Sequence, residues 1–354
     1  MSNRLSRRRF LQISAAGFSA MSTPGLALAQ SGAQPPVKSA AIDEHAVTAP
    51  VAVKARPIAS FDPRDRSHVR FGSLEYRSGL VLTSSYQGFG GLSGIRLDAR
   101  GERFIALSDK GSWFTGRILY SGRAMVGLDD VEATPMLGPD GRPLTTRGWY
   151  DSESIARDGG FVYVGLERVN QVLRFDFSNG FTRARGEVVP MPPAVKKLPH
   201  NKGLEALVFV PKGLPRAGTL IAMSERGLDS GGNLIAFLVG GPSPGQFSIR
   251  RSENFDISDA VLLPSGDLLV LERKFSLVAG VGIRIRRIPL ATITPGALVD
   301  GPPIFTADLG QEIDNMEGID AHVTAEGETV LTMVSDDNFS LIQRTLLLQF
   351  TLVS

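Results

Sequence analysis

The sequence predicts an all-β fold, a β-propeller of five blades, from three observations. Glycine and proline account for 39 and 22 of the 354 residues, a share typical of chains with many tight turns between short strands. One layout occurs five times: a short strand, a turn and a second apolar strand that ends in an acidic residue. Its copies start 52 to 60 residues apart and are followed by further strand-like runs. Unequal units of about four short strands are typical of propellers.

Each copy is identified by one residue in its first strand and by the acidic residue at the end of its second strand. In chain order, these pairs are Ser93 and Asp109, Glu153 and Glu167, Glu205 and Glu225, Asp259 and Glu272, and Glu317 and Asp336. The turns between the paired strands carry residues that favour tight turns, such as Gly159 and Gly160 in the second copy. A β-sandwich is the weaker alternative, because sandwiches do not usually repeat one acid at both ends of the same hairpin.

The two ends of the chain are expected to close the ring of blades. The last copy supplies only three strands, the third of them within residues 345–352, and the strand-like residues 69–76 can complete that blade. A sixth blade is the alternative, because residues 69–84 and the long insert 122–148 offer further strand-like sequence.

The first 29 residues match a twin-arginine export signal. They contain SRRRFL at residues 6–11, a mildly apolar stretch, and Ala-Leu-Ala at residues 27–29 before the expected cleavage point. This signal predicts transport of the folded protein by the twin-arginine translocase, and hence a periplasmic or secreted location. Residues 30–60 are rich in alanine and proline without strand or helix periodicity, which predicts a disordered linker. The propeller domain is expected over residues 61–354.

Charge and composition exclude several classes of function. Removal of the four arginines of the signal leaves 34 basic against 36 acidic residues, so a nucleic-acid-binding protein is not expected. No apolar run of about 18 residues follows the signal, which predicts no membrane span. The absence of cysteine rules out disulfides, thiolate metal sites and a cysteine nucleophile. The motifs G-x-S-x-G, H-E-x-x-H and the P-loop are also missing. We expect a monomer whose partner is a small molecule.

The acids of the five copies are expected to gather at one end of the propeller. In an antiparallel hairpin, the start of the first strand and the end of the second lie at the same end, and the first strands line the central channel. Nine carboxylates would then surround one opening, where their repulsion requires a cation or neighbouring bases. Oxygen ligands without cysteine favour Ca²⁺, with Mg²⁺ as second choice. The expected metal ligands are Asp109, Glu153, Glu167, Glu225, Asp259, Glu272 and Asp336. The alternative is a closed salt-bridge network without a ligand.

Other residues at the same end are candidates for catalysis and substrate binding. Glu205 and Glu317 are the expected general bases, and His200 is a third catalytic candidate because it lies in the loop just before Glu205. The expected contacts of an anionic substrate group are Arg168, Arg226, Arg273 and Lys202.

Four segments resemble the phytase-like propeller family that is described as having esterase-like activity. They are GGLSGI at residues 90–95, ALSDKG at 106–111, NKGLEAL at 201–207 and NMEGI at 315–319. The resemblance covers residues from about 70 to 350. It implies a secreted propeller, distantly related to calcium-dependent propeller phytases, that hydrolyses phosphate or carboxylic esters. In those phytases clustered acids hold Ca²⁺, which bridges the substrate phosphate and activates water.

The leading hypothesis is therefore an exported, metal-dependent ester hydrolase that prefers phosphoesters to carboxyl esters. A non-catalytic propeller that binds a partner or a small ligand is the first alternative. A lactonase-type calcium propeller is the second, because a ring of acids does not by itself distinguish these reactions.

Overall fold

The computed structural model describes residues 47–276 and 280–353, and in this part the chain folds into five β-sheets arranged as the blades of a propeller. The five blades confirm the predicted fold class. Four short 3₁₀-helices occur in the described residues, at Leu144–Arg147, Phe181–Arg183, Val195–Lys197 and Leu290–Thr292. None of the described helices is long and apolar enough to cross a membrane. The expected export signal and residues 30–46 of the expected linker lie outside the described residues.

The strands have the following bounds, in chain order: β1 Ala49–Pro50, β2 Val53–Pro57, β3 Arg70–Phe71, β4 Leu74–Ser84, β5 Leu92–Leu97, β6 Arg103–Ser108, β7 Ser112–Ser121, β8 Ala124–Pro135, β9 Ser152–Asp158, β10 Phe161–Leu166, β11 Gln171–Asp176, β12 Glu187–Val189, β13 Leu204–Phe209, β14 Thr219–Leu228, β15 Leu234–Gly240, β16 Gly245–Ile249, β17 Asp256–Leu262, β18 Asp267–Ser276, β19 Gly280–Pro289, β20 Leu298–Val299, β21 Pro303–Asp308, β22 Asn315–Val323, β23 Thr329–Asp336 and β24 Thr345–Leu352.

Each blade runs outward from the channel in an antiparallel order, apart from the parallel outer pair β16 and β20. Blade 1 has the order β5-β6-β7-β8-β1, blade 2 β9-β10-β11-β12 and blade 3 β13-β14-β15-β16-β20. Blade 4 has the order β17-β18-β19-β21 and blade 5 β22-β23-β24-β4-β2, with β3 paired to β4. The inner strands β5, β9, β13, β17 and β22 contact one another in a closed ring. The insert 122–148 supplies β8 of blade 1 and one 3₁₀-helix, so no sixth blade is present among the described residues.

The N-terminal strand β4 closes the ring by pairing with the C-terminal strand β24. Leu82 lies opposite Thr345, and Leu74 lies opposite Leu352. The closing strand was expected at residues 69–76, but the structure places it at Leu74–Ser84. The apolar side chains of this run are buried between neighbouring sheets. Its Leu80 packs with residues of blade 1 in one apolar cluster, so β4 joins the last blade to the first.

The described part of the expected linker is not disordered. Ala49 of β1 lies opposite Ala133 of β8, and β2 pairs along the outer edge of β4. Between the two strands, the Val51 side chain is buried in the apolar cluster of blade 1. The domain start expected at residue 61 is therefore corrected to include residues 49–57. Both strands lie at sheet edges, where one side of the backbone has no partner and proline is tolerated. The alanine- and proline-rich composition was therefore wrongly interpreted as a linker.

Apolar side chains between the sheets hold the blades in place. Between blades 4 and 5, the Phe61 ring centroid lies 5.0 Å from that of Phe350 and 5.9 Å from that of Phe305. Between blades 1 and 2, the Trp113 and Phe175 rings meet edge to face at 5.1 Å. These buried contacts fix the relative positions of the inner strands, and through them the positions of the side chains that face the channel.

Candidate active site

All five inner strands carry a β-bulge at the same place near their first residue. The pairing with the second strand shifts there by one residue, which leaves one inner-strand residue without a direct partner. The bulged residues are Ser93, Glu153, Glu205, Ser258 and Glu317. Bulges redirect a side chain relative to regular strand pairing. Three of the five redirected residues are glutamates.

The second strands place another side chain beside each bulge. In each blade, one residue of the second strand lies opposite the inner-strand residue that comes two positions before the bulge. From blade 1 to blade 5, these second-strand residues are Asp109, Glu167, Glu225, Arg273 and Asp336. In blade 1, for example, the Asp109 amide donates to the Gly91 carbonyl at 2.9 Å. Gly91 has a φ of +58°, and a Cβ there would lie 2.3 Å from Asp109 Oδ1. Glycine is therefore required for this carboxylate to occupy its place.

The ring of bulge positions and second-strand positions carries seven carboxylates that line one cavity of about 670 Å³. They are Asp109, Glu153, Glu167, Glu205, Glu225, Glu317 and Asp336. The sequence predicted all seven at one end of the channel, and the structure brings them together there. We call this cavity the acidic cavity.

Asp259 and Glu272, which were expected in the same ring, lie outside it. In blade 4 the ring positions belong to Ser258 and Arg273, each one residue away from the acid. Successive residues of a strand point to opposite sides, so an offset of one residue turns both carboxylates away from the cavity. The expected metal-ligand role of these two residues is corrected accordingly. The Glu-Arg dipeptide in blades 2, 3 and 4 makes Glu272 look equivalent to Glu167 and Glu225 in sequence, although its register differs.

Both displaced acids are buried in ion pairs. Asp259 accepts hydrogen bonds from Arg96 Nη1 at 2.9 Å and Nη2 at 3.1 Å. Glu272 accepts hydrogen bonds from Arg284 Nε at 2.7 Å and Arg286 Nε at 2.9 Å. Their role is to neutralise buried arginines, and their carboxylates have no free side toward a ligand.

Three of the seven carboxylates form a compact group that we call the acidic triad: Glu167, Glu205 and Glu225. Each offers one oxygen, and the three oxygens lie within 4.8 Å of one another. All three residues are buried, and Glu167 Oε1 also accepts a hydrogen bond from the Gly203 amide at 2.8 Å. Oxygen ligands lie about 2.3–2.6 Å from Ca²⁺, so two ligands of one ion are at most about 5 Å apart. The spacing of the acidic triad therefore fits a single cation.

Arg273 neutralises part of the acidic cavity. Its Nη2 lies 3.3 Å from Glu205 Oε1 and 3.6 Å from Glu225 Oε1, and its Nη1 donates to Glu317 Oε1. Arg273 was expected to contact substrate; it lines the cavity, but its guanidinium is shared among three carboxylates.

The other expected substrate contacts are divided between the cavity and the surface. Lys202 Nζ lies 3.1 Å from both carboxylate oxygens of Glu225, and Arg226 Nε donates to Asp256 Oδ2 at 2.8 Å; both bases line the cavity. Arg168 is exposed and stacks on the Tyr150 ring at 4.5 Å. His200 is also exposed, with Nδ1 3.2 Å from the Arg168 carbonyl oxygen. Neither Arg168 nor His200 lines the acidic cavity.

Burial and mutual repulsion raise the pKa values of several carboxyls in the cavity. Burial, with the charge of Glu225 adding to it, raises the pKa of Glu167 to about 8. Burial and the charge of Glu317 raise the pKa of Asp336 to about 8. The pKa of Glu153 is raised well above its usual range by burial and then by Glu317. Such shifts indicate negative charge that the neighbouring bases do not fully compensate.

Glu153 differs from the other six ring carboxylates because no protein group in the described part of the chain contacts its carboxylate directly. It is half-buried, lines the cavity and forms no hydrogen bond or ion pair with the described residues. Sequence reasoning did not single out Asp151, which also lines the cavity. The Asp151 amide donates to the Asp109 carbonyl at 2.7 Å, and Asp151 itself has a φ of +70°. Burial raises the pKa of the Asp151 carboxyl. The sequence feature that could have identified Asp151 is its position two residues before Glu153.

A family model matches most of the chain, as the resemblance of its motifs predicted. The sequence model of the phytase-like family described as "Esterase-like activity of phytase" matches residues 87–339. No curated protein matches the chain significantly. Among solved structures, the glutaminyl cyclase of Myxococcus xanthus is 12% identical with a TM-score of 0.40, covering 76% of this chain and 93% of its own. The β-propeller domain of Cps50 (Swd1) from Myceliophteria thermophila is 11% identical with a TM-score of 0.34, covering 70% of this chain and 67% of its own.

Proposed function

The chain belongs to the phytase-like family with esterase-like activity, and on this premise we propose that it hydrolyses ester bonds with the help of a metal ion at the acidic triad. Phosphoesters are the first substrate class and carboxyl esters the second. The single observation that carries the proposal is the acidic triad itself, three buried carboxylates whose oxygens lie within 4.8 Å of one another.

The donor set supports Ca²⁺ as the ion. All ligands on offer are oxygens, and the chain has no cysteine; hard cations prefer such ligands. The carboxyls of Glu167 and Asp336 have raised pKa values, which means that a cation would remove an existing electrostatic cost. When bound, the ion would polarise the ester oxygen and lower the pKa of a water molecule.

Glu153 is the proposed general base. It lines the cavity and has no hydrogen bond or ion pair to the described residues, so its carboxylate is available to accept a proton from water. Glu205 and Glu317 were the expected bases, but one belongs to the acidic triad and both contact Arg273. In the proposed reaction the water oxygen bonds to phosphorus or to the carbonyl carbon, and the bond to the alcohol oxygen breaks. One water proton goes to Glu153 and then to the departing alkoxide.

A closed salt-bridge network without a ligand was the alternative interpretation of the acidic ring. Arg273 and Lys202 contact only part of the ring, and Lys110 adds one exposed contact to Asp109 at 3.2 Å. Glu153 forms no ion pair among the described residues, although the charge of Arg273 acts on it through space. Unpaired buried charge costs stability, so the incomplete pairing supports a cation site over a purely structural network.

The test is release of p-nitrophenol from its phosphate and acetate esters by the purified protein, first in EDTA and then with added Ca²⁺. We expect turnover to depend on Ca²⁺. The variant Glu153→Gln should lower kcat about 10²-fold to 10⁴-fold while calorimetry still detects Ca²⁺ binding. Glu132→Gln, an exposed acid on the outer strand β8, is the matched control and should retain full activity. Absence of turnover with any metal would contradict the proposal that the protein is an enzyme. It would favour the alternative of a non-catalytic propeller that binds a partner or a small ligand.

Export by the twin-arginine route is also part of the proposal, and it is supported by residues 6–11 and 27–29. Replacing Arg7 and Arg8 together by lysine should retain the protein in the cytoplasm, because the translocase reads the arginine pair. Fractionation of cells that express the native and altered chains measures this. Equal amounts of both proteins in the periplasm would contradict the proposed route.

A further inference from the structure

Three exposed apolar side chains form what we call the apolar rim: Phe275, Leu341 and Ile342, of which Phe275 and Ile342 line the acidic cavity. Their exposed fractions are 74%, 105% and 91%. Phe275 lies at the end of β18 in blade 4, two residues after Arg273, and Ile342 lies between β23 and β24 in blade 5. Phe275 and Ile342 line the same cavity as the acidic triad. Exposed apolar groups beside a polar cavity are typical of ligand-binding sites.

The segment that carries Leu341 and Ile342 is held by hydrogen bonds at both ends. The Asn338 amide donates to Asp336 Oδ1 at 2.6 Å, and the Ser340 amide donates to the Asp337 carbonyl at 2.7 Å. On the return side, the Thr345 hydroxyl donates to Asp337 Oδ2 at 2.9 Å. A segment anchored in this way presents its two apolar side chains at a defined place beside the cavity.

The charges of the cavity disfavour a polyanionic substrate. Its basic residues are each engaged by an acid: Lys202 by Glu225, Arg226 by Asp256, Arg273 by three ring glutamates and Lys274 by Glu253 at 4.0 Å. A densely phosphorylated molecule needs several free cationic groups. Such a molecule would also meet the unpaired Glu153 and its acidic neighbours.

We propose that the substrate is an ester with one apolar organic group and at most one anionic group. The apolar group lies against Phe275 and Ile342, while the ester bond enters the acidic cavity. This inference rests on the proposed function and adds the substrate class, since the apolar rim and the paired bases together select against polyphosphates. Phe275 and Ile342 are thus specificity residues, separate from the groups that bind the ion or move the proton.

The experiment compares chain lengths for one leaving group. The substrates are p-nitrophenyl acetate, butyrate, hexanoate and octanoate, and the methyl, butyl and octyl p-nitrophenyl phosphodiesters, all with Ca²⁺. We expect kcat/KM to rise about twofold to fourfold for each added methylene that is buried. In the variant Phe275→Ser/Ile342→Ser the dependence of kcat/KM on chain length should disappear. The matched control is Leu298→Ser, which removes an exposed apolar side chain of β20 that does not line the acidic cavity.

A second measurement keeps the inference independent of turnover. Calorimetric titration with methyl-, butyl- and octylphosphonate, which are not hydrolysed, should show affinity that rises with chain length in the wild type and not in the double variant. No turnover of any ester would overturn the proposed function, and affinities that do not change with chain length would overturn the inference. Turnover without chain-length dependence would overturn the inference alone, as would faster phosphate release from inositol hexakisphosphate, assayed in parallel, than p-nitrophenol release from the phosphodiesters.

Discussion

Arg96 of blade 1 and Asp259 of blade 4 form a buried, bidentate ion pair across the central channel. Arg96 Nη1 lies 2.9 Å from Asp259 Oδ2, and Nη2 lies 3.1 Å from Oδ1. The same guanidinium donates to the carbonyls of Leu207 in blade 3 and Ile319 in blade 5. One arginine therefore connects the inner strands of four blades, and Asp259 is the charge that allows it to be buried there.

Asp259→Asn is expected to destabilise the fold without affecting metal binding. The change removes the ion-pair partner of the buried Arg96 and leaves only the weaker influence of Asp320, which should lower the free energy of unfolding by about 3 kcal/mol. Urea denaturation measures the difference, and the rise in Tm on adding Ca²⁺ should be unchanged. Asp129→Asn breaks an exposed pair with Arg117 and should cost less than about 1 kcal/mol. Equal effects of the two variants would contradict the role given to Asp259.

Glu225→Gln is expected to abolish stabilisation by Ca²⁺. A ligand that binds only the folded state stabilises it by about 2.7 kcal/mol at a concentration 100 times its Kd, and loss of one triad carboxylate should remove most of this effect. Thermal unfolding with increasing Ca²⁺ provides the measurement. Glu132→Gln serves again as control, and an undiminished Ca²⁺ response of Glu225→Gln would argue against the acidic triad as the ion site.

Arg273→Met is expected to make the protein more dependent on Ca²⁺. Arg273 is the base shared by Glu205, Glu225 and Glu317, so its removal leaves these carboxylates more strongly repelled. Tm in EDTA should fall, and the rise in Tm on adding Ca²⁺ should exceed that of the native protein. Arg117→Met, at an exposed ion pair, should change neither quantity. A smaller Ca²⁺ response in Arg273→Met would show that the arginine supports ion binding.

Stability in EDTA is expected to fall as the pH rises from about 5 to about 8.5. Glu167 and Asp336 have pKa values of about 8 in the folded protein and ordinary values near 4 when unfolded. The folded state therefore binds more protons between these limits, and its stability decreases with pH until both groups are ionised. Tm should fall by at least about 3 °C over this range. Saturating Ca²⁺ should suppress the fall; a constant Tm in EDTA would contradict the raised pKa values.

His200→Ala is expected to leave catalysis unchanged. The His200 ring is exposed, lies 3.2 Å from the Arg168 carbonyl oxygen and does not line the acidic cavity. Its kcat/KM for p-nitrophenyl phosphate should stay within about twofold of the native value, whereas a loss of 10²-fold or more would be typical of a catalytic acid or base. Such a loss would restore His200 as a catalytic residue.

The repeats predicted the fold well because they reflect local rules. Alternating apolar strands, turn residues and a unit of 52 to 60 residues follow from backbone chemistry and recur in each blade. The closing strand was harder to predict, since β4 pairs with β24 from the opposite end of the chain. Composition was misleading at residues 49–57, because edge strands tolerate proline where central strands do not.

The sequence by itself determined that acids recur at equivalent ends of five hairpins, and hence that the seven ring carboxylates meet at one end of the channel. Only the tertiary structure decided which acids of blade 4 join them. The bulge at Ser258 sets the register so that Arg273 faces the cavity, while Asp259 and Glu272 turn to Arg96 and to the arginines of β19. Side chains alternate sides along a strand, so an offset of one residue exchanges a cavity position for a buried ion pair.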